Sequence, residues 1–163
     1  MKLQLVWCLM SVYLHKSHNV SVLLYHIVCP ANYRRVVFSD DVDDAFRKIC
    51  LEISERFEIH FLEIGTDKDH VHFLVQSVPR YSPTKIVRKI KSITAREIFC
   101  RVPSVKKILW GGEFCSDGYY ISTVDKKGNE TTSCNYVQKQ GSDYQYKQLH
   151  REKEVLVTQL KLF

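Results

Sequence analysis

No two of the six cysteines (Cys8, Cys29, Cys50, Cys100, Cys115, Cys134) form a CxxC pair, and none cluster. A zinc ribbon or a thioredoxin-like redox site needs paired spacing, so both are excluded. The thiols read as mostly reduced and buried, the state of cytosolic cysteines. Nor is there an apolar run of the roughly twenty residues that cross a bilayer. The nearest approach is Met1 to Tyr13, a lysine followed by apolar residues. No small-x-small cleavage site precedes His15-Lys16-Ser17-His18-Asn19, so residues 1–19 read as a poorly ordered extension and not as an export signal. Repeats and low-complexity segments are absent. Proline is scarce, four in all, and each one punctuates an element. Acids are outnumbered, 18 against 24 Lys and Arg, for a net charge of +6. That excess points to an acidic partner, nucleic acid being the usual one. What is present suits a single domain: 163 residues, 45% hydrophobic and 26% charged.

The elements alternate. Val20 to Cys29 is rich in β-branched and apolar residues and stops at Pro30, a buried strand. Ser39-Asp40-Asp41 opens a helix, because a serine caps and acids favour the first turn. Val42, Phe46, Ile49, Ile53 and Phe57 then recur at helical spacing. Ile59 to Ile64 is a second strand, Gly65 to Asp69 a polar turn, and His70 to Val78 a third strand stopped at Pro79. Ser82-Pro83 opens a second helix that runs to about Arg101, ahead of Pro103. Gly118 to Val124 is a fourth strand. After the loop Asp125–Asn129, two helical stretches, about Thr131 to Gln140 and Asp143 to Gln159, close the chain. The order predicts an α+β, ferredoxin-like βαββαβ fold: an antiparallel sheet with two helices on one face, and extra C-terminal helices. The opposite face is left free for a ligand. The domain is expected over residues 20–146, with 147–163 as a helical tail.

Alternate side chains of a strand share a face. Val71, Phe73 and Val75 suit the helix-covered face, which turns His70 and His72 to the other. Two imidazoles so placed can converge on one cation, although the same pattern also fits two unrelated surface histidines. Tyr136 and Gln140 are four residues apart, on one face of the helix Thr131–Gln140. A tyrosine hydroxyl is a poor nucleophile without a cation or base to help it, and a glutamine carbonyl is a hard oxygen ligand. Taken alone, the pair reads better as a packing tyrosine and a solvated glutamine.

Together these residues resemble a known family. His70-Val71-His72 opening a strand, with Tyr136-Val137-Gln138-Lys139-Gln140 in a later helix, is similar to the single-tyrosine transposases of the IS200/IS605 group, within the His-hydrophobic-His endonucleases. The likeness runs from about His15 to Tyr146 and takes in Asp69 to Val75, Leu109-Trp110-Gly111-Gly112-Glu113-Phe114 and Ser116 to Tyr120. It implies cleavage and rejoining of single-stranded DNA at hairpin-bearing transposon ends. His70, His72 and Gln140 would hold a divalent metal, Mg2+ or Mn2+, and Tyr136 would be the catalytic nucleophile forming a 5′-phosphotyrosine. It further implies a homodimer joined through the fourth strands, with active sites completed in trans, working in the cytoplasm and away from membranes.

The helix Ser82–Arg101 is two-faced. Ile86, Val87, Ile90, Ile93 and Ile98 share one arc; Lys85, Arg88, Lys89, Lys91 and Arg96 fill the rest, a stripe suited to DNA phosphates or simply to water. Lys106, Lys107, Arg34 and Arg35 are further candidates for phosphate, and Tyr33, Tyr81 and Tyr119 for base stacking. His26 reads as a packed or hydrogen-bonded strand residue, and Glu63 as a possible extra metal ligand. Two rival readings share the fold: a housekeeping relative that processes palindromes (a REP-associated tyrosine transposase), and a non-catalytic ferredoxin-like nucleic-acid-binding module. The latter usually displays aromatic residues on its open face.

Overall fold

The computed structural model describes residues 14–124 and 147–151, with the backbone alone at His15 and Arg151. Two short strands, β1 (Leu14–His15) and β2 (Val20–Ser21), form a hairpin ahead of β3 (Leu23–Pro30). Then come α1 (Asp40–Arg56), β4 (Ile59–Asp67), β5 (His70–Ser77), α2 (Pro83–Arg101), α3 (Val105–Ile108), β6 (Tyr120–Thr123) and β7 (Lys147–Arg151). Five strands make one antiparallel sheet in the order β6-β3-β5-β4-β7. Its first four strands reproduce the expected ferredoxin-like frame.

The helices begin where the capping residues stand. Ser82 accepts the amide of Lys85 at 3.3 Å with Pro83 in the first turn. Ser39 occupies the cap of α1, yet it serves through its carbonyl, which accepts from the Asp43 amide at 2.8 Å, while its side chain makes no capping bond. The apolar arcs of both helices close on the sheet. Phe46, Ile49 and Ile53 from α1, with Ile86, Ile90 and Ile98 from α2, meet Ile27, Val71, Phe73 and Val75, all 1% exposed or less. Phe46 is the hub, with Phe73 and Phe114 stacked on it and Phe38 against its edge.

A β-bulge in β4 decides what faces the other side. Phe61 pairs with Val75 and Glu63 with Leu74, so Leu62 is the extra residue. Before it Ile59 and Phe61 enter the core; after it Ile64 and Thr66 do, Thr66 donating to Asp43 at 3.0 Å. Glu63, Gly65 and Asp67 are thereby turned to the face that carries the histidines.

Several boundaries differ from expectation. The turn predicted over Gly65–Asp69 is only Lys68–Asp69, because β4 continues to Asp67 in pairing with β5. Residues 14–19 of the predicted extension form the first strand and turn of the β1–β2 hairpin, fastened by an ion pair between Lys16 and Glu58. Lys147–Arg151, placed in a helical tail by its sequence, is strand β7 on the outer edge of β4. An unpaired strand edge offers a full row of partners, which outweighs the weak helical preference of five residues. Lys147 adds ion pairs to Asp40 (2.6 Å) and Asp43 (3.1 Å) at the start of α1. The extension up to Tyr13, the loop Asp125–Asn129 and the helix Thr131–Gln140 lie outside the described residues.

Candidate active site

The strand alternation of β5 does what the sequence predicted: Val71, Phe73 and Val75 enter the core, and His70, His72, Leu74 and Gln76 share the opposite face. Across the sheet His72 is paired with Val28 on one side and Gly65 on the other, and His70 with Pro30 and Asp67. The rings of His70 and His72 lie at 4.8 Å between centroids, tilted by 67°. This face was expected to stand free, but its centre is buried: His26, Glu63, His72 and Gln76 are 5% exposed or less.

Both histidines are anchored through Nδ1. That of His70 donates to Asp69 Oδ1 at 2.7 Å, and Asp69 Oδ2 receives Arg34 Nε at 2.9 Å. That of His72 lies 3.3 Å from His26 Nε2, the two rings nearly parallel. Burial first, then the neighbouring His70 and His26, pushes the His72 imidazole down to about 3; burial also lowers His26. A cation can be bound only by an unprotonated ring nitrogen, so His72 is kept in the form that binds. The reading of His26 as a hydrogen-bonded strand residue fits this arrangement; that it bonds to His72 was not foreseen. A signal existed: His26 and His72 belong to strands whose alternation puts both on one face. Asp69, directly before His70, offered a similar one.

Among the described residues, no third His, Cys, Asp or Glu completes a metal cage with the pair. Glu63, buried and on the same face, does not close such a trio. Tyr136 and Gln140 lie outside the described residues.

The basic stripe of α2 divides. Lys85, Arg88, Lys89 and Arg96 line one groove of about 490 Å3, joined by Arg56 from α1 and by Phe57 and Tyr81, with no acid in its lining among the described residues. Lys89 Nζ stands 4.0 Å above the Phe57 ring. Lys91 is turned elsewhere. Its ammonium donates to the carbonyls of Ser116 (2.6 Å), Asp117 (2.9 Å) and Gly118 (3.0 Å), fastening the segment that leads into β6. A lysine has three donors, and here all three are used within the protein.

Comparison with known proteins gives this sheet and its histidine pair a family. The profile of the family described as "Transposase IS200 like" matches residues 19–140. The ISDra2 transposase TnpA of Deinococcus radiodurans is 30% identical over 104 residues, 64% of this chain and 74% of that protein. The transposase of insertion sequence element IS200 from Salmonella typhimurium is 28% identical over 102 residues, 63% of this chain and 67% of its own. A crystal structure assigned as a Deinococcus radiodurans R1 transposase superposes with TM-score 0.62 at 24% identity, over 78% of this chain and 98% of that one. A REP-associated tyrosine transposase bound to a REP hairpin superposes with TM-score 0.55 at 7% identity, over 80% and 73%, a likeness of fold. The chain belongs to the IS200-like transposase family, whose members are enzymes of DNA transposition.

Proposed function

We propose that this protein cleaves and rejoins single-stranded DNA at hairpin-bearing transposon ends through a 5′-phosphotyrosine on Tyr136. The observation that carries the reading is the His70–His72 pair, side by side on one face of β5 with ring centroids 4.8 Å apart and each Nδ1 engaged by a neighbour. Such a donor pair fits a divalent cation, with Gln140 as the oxygen ligand that would complete the set. Bound there, Mg2+ or Mn2+ supplies Lewis acidity at the scissile phosphate. Asp69 holds the His70 ring in the tautomer that leaves Nε2 as the ligating atom, and Arg34 holds Asp69. The Tyr136 oxygen, its hydroxyl proton released to solvent, bonds to phosphorus as the bond to the 3′ oxygen breaks, and the departing oxygen takes up a proton from solvent. A 5′-phosphotyrosine and a free 3′-hydroxyl result; attack by a strand-end hydroxyl reverses the step and releases the tyrosine.

The groove over α2 supports binding of a hairpin stem. Lys85, Arg88, Lys89 and Arg96 meet phosphates without reading sequence. A homodimer fits the position of β6, which pairs only with β3 among the described residues and forms one sheet edge. A second copy's β6 would continue the sheet across that edge. The binding-module alternative is disfavoured because His26, His72 and His70, and not Phe, Tyr or Trp, occupy the middle of the face among the described residues, with Tyr120 only at its edge strand.

Incubation with labelled single-stranded hairpin DNA and Mg2+ or Mn2+ tests the mechanism. A denaturant-resistant adduct is expected, absent with chelator, with Tyr136→Phe, and with His70→Ala plus His72→Ala. An adduct in Tyr136→Phe overturns the nucleophile, and undiminished cleavage by the double histidine variant overturns the metal site.

A further inference from the structure

Where β3 ends, the chain turns through Ala31–Arg35 in a conformation its side chains disfavour. Tyr33 and Arg34 both lie in the left-handed region, at φ 56° and 53°. Main-chain bonds impose it: Asn32 N donates to Phe114 O at 3.0 Å, and Arg34 N to Ala31 O at 2.9 Å. The outcome is an aromatic pair held in water. The Tyr33 ring and the Trp110 indole stack at 5.8 Å with 14° between planes, yet Tyr33 is 65% and Trp110 72% exposed. They are the most exposed Phe, Tyr or Trp side chains among the described residues, in a protein that buries Phe46, Phe61, Phe73 and Phe114 completely.

Their surroundings suit a polyanion. Exposed Arg34 and Arg35 follow Tyr33 directly, and exposed Lys106 and Lys107 stand on α3 just before Trp110. Arg34 also joins the platform to the candidate active site, because the Asp69 it holds is the carboxylate that holds His70. Neither charge nor strain explains rings left in water, but a flat partner does. We infer that Tyr33 and Trp110 form a stacking platform for an unpaired base of the single strand that reaches His70 and His72. The inference rests on the reading of this protein as a single-strand transposase and adds where that strand is gripped. Stacking accepts any base, so the platform would position the strand without choosing its sequence.

The test uses the full chain, without added metal, and a DNA hairpin carrying a single-stranded tail. Trp110→Leu, which keeps apolar bulk and loses the indole, and Tyr33→Ala should each bind about five- to a hundredfold more weakly. The salt dependence of binding should keep its slope, since stacking releases no counterions. Abasic substitution along the tail should weaken the wild type at one position, and Trp110→Leu should be indifferent there. Wild-type affinity in both variants, or an abasic profile unchanged in Trp110→Leu, overturns the platform. Covalent adduct formation through Tyr136, measured separately with metal, reports on the transposase reading: wild-type protein forms the adduct if that reading stands, even where the platform fails.

Discussion

His72 is held as a neutral imidazole by its surroundings, with burial the main cause and His70 and His26 the lesser ones. In an unfolded chain the same ring titrates near pH 6.5. Between about 6.5 and about 3 the unfolded chain therefore takes up a proton that the folded protein refuses, and linkage makes folding less favourable as pH falls. Above that window this group leaves stability unchanged. Metal-free protein should accordingly lose unfolding free energy between pH 7 and pH 5 in urea titrations, and His72→Gln should lose less. A variant with the same pH slope as the wild type would show that His72 does not carry the effect. The same burial that costs stability in acid keeps the ring neutral at physiological pH.

Among the elements, α2 shows what periodicity can and cannot reveal. Its apolar arc was readable from spacing alone, and Ile86, Val87, Ile90 and Ile98 are all buried. Its charged arc looked uniform, yet four cations line a groove and Lys91 fastens the turn before β6. Only the position of that turn distinguishes them, and helical spacing carries no information about it. Lys91→Met, which keeps the aliphatic stem, should lower unfolding free energy by roughly 1.5–2 kcal/mol, the lower part of the range for charged hydrogen bonds because the ammonium is partly exposed. Equilibrium denaturation measures this, and unchanged stability would return Lys91 to the solvated stripe. β7 offers the opposite lesson: Lys147–Arg151 reads as helix in isolation, but pairing with β4 and two carboxylates of α1 makes it strand.

For the whole molecule, a dimer with sites completed in trans makes a prediction that separate sites do not. Mixing Tyr136→Phe protein with His70→Ala plus His72→Ala protein should restore adduct formation. In a mixed dimer, the intact histidines of one subunit meet the intact tyrosine of the other. Random association of equal amounts makes about half the dimers mixed, each with one competent site. Activity would then recover to roughly a quarter of wild type, the labelled adduct being the readout. Failure to recover, with mixed dimers demonstrated, would place each tyrosine beside its own histidines.

Local chemistry determined much of this protein. Capping residues, prolines and two apolar periods located β3, α1, β4, β5, α2 and β6, and strand alternation by itself put His70 and His72 opposite the core. Those features depend on neighbours a few residues apart, which a sequence displays directly. Tertiary structure decided what depends on distant partners. It paired His26 with His72, joined Arg34 and Asp69 to His70, turned Glu63 and Asp67 to the histidine face through one bulge, and kept Tyr33 stacked on Trp110 in water. Apart from Asp69, which directly precedes His70, these contacts join strands or loops far apart in the chain, and only the folded sheet brings the groups within reach.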